Sequence, residues 1–346
     1  MTLQRITSSI SDKRLATYQR CFATTDMAEC LGLYIWNKRV CAEFLPVLQI
    51  LEVSLRNAIC SGYETMTRQQ LIESGKALDE VEGLLDPLWF KTFYEASAEP
   101  QYEETKKALG TAERKLQNSG LEVTADNIIP QLSFGVWNHI CQSHLETDAA
   151  SLRLWPKMIP YSFPGRRISH GEIARILRTV NKMRNRIAHH EPLWFSKDLY
   201  GIESYLNKVI DFYYDCLRLI EAINPSNLKS LELVGSHHAL TNLLMVQSIE
   251  QFRGIASNLT TVPAIDVDAW HQQAFCKTRI EGAIIFINQR VVVLKPLRCA
   301  FTETFVIDRN EDIIKNKLDT LRKGMIVTFI PKRYKNTRLA TRILAN

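Results

Sequence analysis

No apolar run in the chain approaches the ~18 residues needed to cross a bilayer. The opening segment, Met1 to Thr7, also lacks the apolar core of a signal peptide. The expectation is a cytoplasmic protein without membrane association. The eight cysteines are scattered at 21, 30, 41, 60, 141, 216, 276 and 299, with no Cys-x-x-Cys pair and no Cys/His knuckle. Neither a structural zinc nor a disulfide framework is indicated, and buried, reduced thiols are expected. A carboxylate cluster is missing as well, so no metal and no other cofactor is expected.

What the chain does have is an ordinary soluble composition, 46% apolar and 23% charged, which argues against disorder. Its 346 residues exceed the ~100–200 of one typical domain, so two domains are expected. The net charge of +6 is unevenly spread. Residues 277–346 carry 15 Lys and Arg against 6 Asp and Glu, a net +9, which leaves the first 276 residues at −3. An anionic partner would be drawn to the tail.

The first two thirds read as helices. Phe44, Val47, Leu48, Leu51, Leu55, Ala58 and Ile59 recur at three- and four-residue intervals. Pro46 suggests a start or kink near the beginning of that helix, and Glu52 and Arg56 stand four apart, a spacing that favours a pair. Residues 99–116 are charged and poor in apolar side chains, whereas Asn127–Trp137 is apolar enough to be core. Pro, aromatic and basic residues over 150–168 read as a structured loop.

Ser169-His170-Gly171-Glu172 fits a capping box, followed by the apolar stripe Ile173, Ile176, Leu177, Val180, Met183 and Ile187. Pro192 disfavours helix at Glu191, which ends this helix near His189 or His190. A further helix is expected from Ile202 to Ile223. After about residue 260 the texture changes to β-branched and aromatic runs at 281–288, 290–294, 303–307, 324–330 and 338–344. Five short strands in about 70 residues suggest a small barrel, most commonly an oligonucleotide-binding (OB) fold. The expected architecture is therefore α+β and multidomain: a helical domain over 1–250, a linker over 251–275 and a barrel over 276–346.

The string Arg184-Asn185-Arg186-Ile187-Ala188-His189-His190 puts two fixed cations, an amide and two imidazoles within about two helical turns. Cleavage of RNA by its own 2′-hydroxyl needs such groups. A histidine can take the 2′ proton or protonate the leaving 5′ oxygen, and an arginine fork can stabilise charge building on the phosphate. At about 100° per residue Arg184 and His190 flank Ile187, which favours His190 over His189 unless the helix has already unwound. The same residues would equally suit a structural role at the carbonyl end of a helix.

This motif resembles that of the Abi-like (abortive infection) proteins, a branch of the HEPN superfamily, whose hallmark is Arg, a polar residue, a short spacer, then His. The pattern falls on Arg184, Asn185 and His189, and His190 is similar to the family's second histidine. Leu51-Glu52-Val53-Ser54-Leu55-Arg56-Asn57-Ala58-Ile59 and Leu132-Ser133-Phe134-Gly135-Val136-Trp137 resemble two further stretches of these proteins, in the same order. The likeness covers roughly residues 15–225. It implies an all-helical domain, metal-independent endoribonuclease activity leaving a cyclic phosphate, and a homodimer whose two motifs line one cleft. It also implies a role in phage defence or as a toxin, sometimes with a dedicated small RNA.

The tail departs from that pattern and resembles, more loosely, a cold-shock or OB-type domain. Phe286, Phe305 and Phe329 are candidates to stack bases, or else ordinary barrel core. Arg186 and the basic hairpin residues Lys332, Arg333, Tyr334, Lys335, Arg338 and Arg342 are candidates to follow phosphates. His237-His238 lacks a third ligand and reads as surface loop. Arg56-Asn57 would either reach the active cleft or form a buried pair. The rival readings are a protein that holds a structured RNA without cutting it and an antitoxin-like interaction module.

Overall fold

A computed structural model describes residues 2–96, 100–142, 154–257, 259, 262, 279–288, 291–297, 304–307, 321–334 and 337–345. The chain divides into two compact units, Met1–Thr261 and Val262–Asn346. Most of the linker expected over 251–275 lies outside the described residues.

The first unit is helical. Two short helices, α1 (Thr2–Ile10) and α2 (Asp12–Cys21), lead into α3 (Met27–Glu73), 47 residues long. The carboxylate of Asp26 caps α3 by accepting from the Ala28 N–H at 2.8 Å. Pro46 therefore neither starts nor ends a helix. It stands inside α3, where the many packing contacts of Phe44, Val47, Leu48 and Leu51, all buried, offset one missing backbone bond. Around α3 lie α4 (Leu78–Leu84), α5 (Trp89–Ala96), α6 (Glu103–Asn118), α7 (Ala125–Ile128), α8 (Phe134–Gln142) and α9 (Ile159–Ser162). The charged 99–116 stretch is thus largely helical, with Thr105, Leu109, Ala112 and Leu116 turned inward.

The two long helices α10 (His170–Ala188) and α11 (Ile202–Ile223) carry the stripes expected of them. Ser169 does cap α10, its hydroxyl accepting from the Glu172 N–H at 3.2 Å. The reciprocal half of the box is not formed, because the Glu172 carboxylate instead takes Arg218 of α11. That ion pair ties α10 to α11. Three shorter helices, α12 (Leu228–Val234), α13 (Ser236–Leu243) and α14 (Val246–Ile255), complete the unit. His237 and His238 are the second and third residues of α13 rather than a loop, and His237 stacks on Tyr213 with its Nδ1 3.0 Å from the tyrosine hydroxyl.

The second unit is a closed five-stranded barrel of order β1-β2-β3-β5-β4, from β1 (Ile280–Ile287), β2 (Val292–Pro296), β3 (Phe305–Ile307), β4 (Ile326–Tyr334) and β5 (Thr337–Ala345). Among the described residues only β3 and β5 pair in parallel. Ile284, Leu294, Phe305, Val327 and Phe329 fill its interior. Strand β4 runs through Pro331, beyond the expected end at Ile330. Its pairing with β1 stops at Phe329, so Pro331 sits on a stretch with one open side, where a missing N–H is tolerated.

Among the described residues, no helix is long and apolar enough to cross a membrane. Helix α3 packs closely on α14 at Gly32, where an added Cβ would overlap the Phe252 carbonyl oxygen. Backbone cannot give way as a side-chain tip does. Gly32→Ala should therefore lower the unfolding free energy by about 2 kcal/mol despite alanine's better helix propensity, as read by urea denaturation.

Candidate active site

The motif lies where α10 ends. Its apolar face, Ile173, Ile176, Leu177, Val180 and Met183, is buried and fixes the rotation of the helix. Arg184 and Arg186 are two residues apart, about 200° around the axis, so they must diverge. Arg184 turns to α3, where its Nε lies 3.4 Å from the carboxylate of Glu52, with more than a third of the side chain exposed. Glu52 thus pairs with Arg184 and not with Arg56, whose Nε is buried with no hydrogen-bond partner among the described residues.

Arg186 goes the other way. Its Nη1 donates to the carbonyls of Pro192 at 3.1 Å and Phe195 at 2.6 Å, and its Nε lies 3.8 Å from the Glu191 carboxylate. Two of its five N–H donors therefore hold the segment that follows the motif. Lys208 of α11 donates to the same Phe195 carbonyl at 2.7 Å. Burial, then the charges of Arg186 and Lys182, push the Lys208 ammonium down to about 8.

The helix closes with a Schellman arrangement. His189 is the cap residue, His190 N–H donates to Ile187 O at 3.0 Å, and Glu191 N–H donates to Arg186 O at 2.8 Å. That pattern puts His190 in the left-handed region, at φ 59°, where glycine is the usual occupant. Helical projection therefore cannot rank the two histidines, because His190 has already left the helix. Both are exposed, and among the described residues no side-chain hydrogen bond or ion pair is made by either. Were these histidines acting as helix caps, their rings would bond the last carbonyls. Backbone N–H groups do that instead.

The segment after the histidines is pinned from below. Asn37, fully buried in α3, accepts from the Leu193 N–H at 3.2 Å and donates to the Glu191 carbonyl at 3.5 Å. Trp194 is enclosed by Tyr18, Phe22 and Tyr205, with ring centroids 5.4, 5.0 and 5.0 Å away. Sequence reasoning passed over Asn37. The signal was present, since a polar residue interrupts the apolar stripe of Leu33, Trp36, Val40 and Phe44. Lys208 left no comparable trace.

In the barrel the aromatic candidates separate. Phe305 and Phe329 are buried against each other, 5.3 Å between centroids, and are core rather than base-stacking surfaces. Phe286 is half exposed. A bulge between Ile284 and Phe286 breaks the inward-outward alternation and turns Phe286 out. Lys332 is exposed and Arg338 half-buried, and the β4–β5 register sets Arg333 opposite Arg338 and Tyr334 opposite Thr337. Lys335 and the side chains of Arg333, Tyr334 and Arg342 lie outside the described residues. No three His, Cys, Asp or Glu side chains among the described residues come together to hold a metal ion.

Replacing His190 by Gly should raise thermal stability, by about 1 kcal/mol, because the left-handed strain is removed. A His190→Gly protein that melts no higher than wild type would contradict this account of the turn. In the barrel, Phe305→Ala should unfold the domain or cost it about 3–5 kcal/mol. Phe286→Ala should leave its melting nearly unchanged and, if the barrel holds RNA, weaken that binding by about 1–3 kcal/mol. Calorimetry and fluorescence anisotropy read the two effects separately.

Comparison with known proteins places a family model described as Abi-like protein over residues 6–195, which contains the motif, Glu52 and Asn37. No curated protein and no solved structure matches the chain.

Proposed function

This chain belongs to the Abi-like protein family, and from that membership together with the geometry of its motif we propose that it is an endoribonuclease of the HEPN type acting in abortive infection or as a toxin. The observation that carries the reading is the division of labour within the motif. Arg186 and the backbone hold the turn, which leaves the His189 and His190 rings exposed and without a hydrogen-bond partner among the described residues, beside an Arg184 that is paired with Glu52 and partly open to solvent.

The chemistry is an internal transesterification. The 2′ oxygen attacks the adjacent phosphorus, the bond from phosphorus to the 5′ oxygen breaks, and the products are a 2′,3′-cyclic phosphate and a free 5′-hydroxyl. His189, with His190, takes the 2′ proton and returns a proton to the leaving oxygen. Arg184 stabilises the charge on the phosphorane, its Glu52 contact keeping the guanidinium from swinging away, and Asn185 orients the scissile phosphate. No step requires a metal. A homodimer would place two such motifs along one cleft, and the basic barrel, with Phe286 exposed, would grip the RNA. That same barrel favours the second reading, an RNA-holding protein that does not cut.

Purified protein incubated in EDTA with end-labelled total RNA or tRNA should release fragments with cyclic phosphate ends. His189→Ala/His190→Ala should slow this by at least about 10²-fold, and Arg184→Ala by about 10²–10³-fold. Intact RNA beside a retarded band on a native gel would select the second reading.

A further inference from the structure

A groove of about 430 Å³ opens one residue beyond His190, between α2 and the segment that follows the motif. One wall is formed by Lys13, Arg14 and Thr17 of α2, the other by Arg186, Glu191 and Phe195. Residues 13 and 17, and 14 and 17, are one turn apart, so all three side chains of α2 share a face. Arg20 continues that face and lies over the Phe195 ring, 5.6 Å from its centroid.

The charge in the groove is unbalanced. Three cations meet one acid, Glu191, which already faces Arg186. Among the described residues neither Lys13 nor Arg14 forms an ion pair or a side-chain hydrogen bond, although Arg14 is half-buried. Arg14 is thus a half-buried cation that gains from a matching anion, Lys13 stands exposed beside it, and a volume of this size falls in the range of ligand sites. The floor is rigid, because Asn37, Arg186 and Lys208 fix the backbone from Glu191 to Phe195.

We propose that this groove binds the RNA strand next to the scissile bond, Lys13 and Arg14 holding the phosphate of a neighbouring nucleotide while the histidines and Arg184 act on the scissile one. The inference rests on the RNA-directed reading of the motif. It adds a substrate-binding surface supplied by the N-terminal helices, separate from the catalytic groups and from the barrel. Its function is to set the register of the strand against His189 and His190, so it acts on binding and not on the chemical step.

The test uses the full chain carrying Lys13→Glu/Arg14→Glu or, against the chance that reversed charge disturbs folding, Lys13→Gln/Arg14→Gln. With end-labelled tRNA both variants should raise KM about tenfold or more and leave kcat within about twofold. The slope of log affinity against log salt should become shallower by about 0.7, the one single-strand phosphate contact that the pair supplies. If the wild type cuts RNA and the variants keep its KM and slope, the groove is overturned and the nuclease stands. A fall in kcat with KM unchanged also overturns it, because the pair would then act through the fold. If the wild type binds RNA without cutting, the same slope change read on Kd upholds the groove while the nuclease reading fails. A wild type that neither cuts nor binds RNA overturns both.

Discussion

Asn37 has no exposed surface, yet its amide holds both Glu191 and Leu193, the residues that leave the motif helix. A buried amide without partners would cost about 1–3 kcal/mol per unsatisfied group, so α3 and the segment 191–193 are obliged to sit in one relation. Everything at the candidate site depends on that clamp. With Glu191 and Leu193 fixed, the chain must reverse within two residues of the last turn of α10, and His189 and His190 are the residues that reverse. Arg186, Lys208 and the aromatic enclosure of Trp194 then fix the remainder of the segment.

The consequence is a pair of histidines on a backbone that cannot drift. An exposed helix end is ordinarily where a chain frays. Here fraying is opposed by a buried polar clamp below and by a Schellman closure that needs a left-handed residue. The occupant of that position is a histidine and not a glycine, at a cost in backbone strain.

Arg184 shows how one helix serves two demands. Residues 184 and 186 are forced apart by the helical pitch, so one arginine meets Glu52 and the other reaches the carbonyls beyond the motif. The first remains partly open to solvent and the second is largely engaged. In the barrel a single bulge makes a similar division among the aromatics, leaving Phe286 at the surface while Phe305 and Phe329 fill the interior.

Much of this was legible from residue order. Local periodicity specifies helices α10 and α11 and the alternation of the strands, because a face that must be buried repeats with the pitch of its element. Ser169 and Pro192 bracket the motif helix by local backbone preference alone. What the sequence could not determine were partners distant along the chain. Spacing made Glu52 a partner for Arg56 and Glu172 a reciprocal cap for Ser169, but the fold brings each carboxylate an arginine from another helix. The left-handed turn at His190, the clamp of Asn37 on a segment more than 150 residues away and the outward turn of Phe286 are likewise products of packing. Sequence determines which faces must be buried; only the tertiary structure decides which polar groups meet once they are.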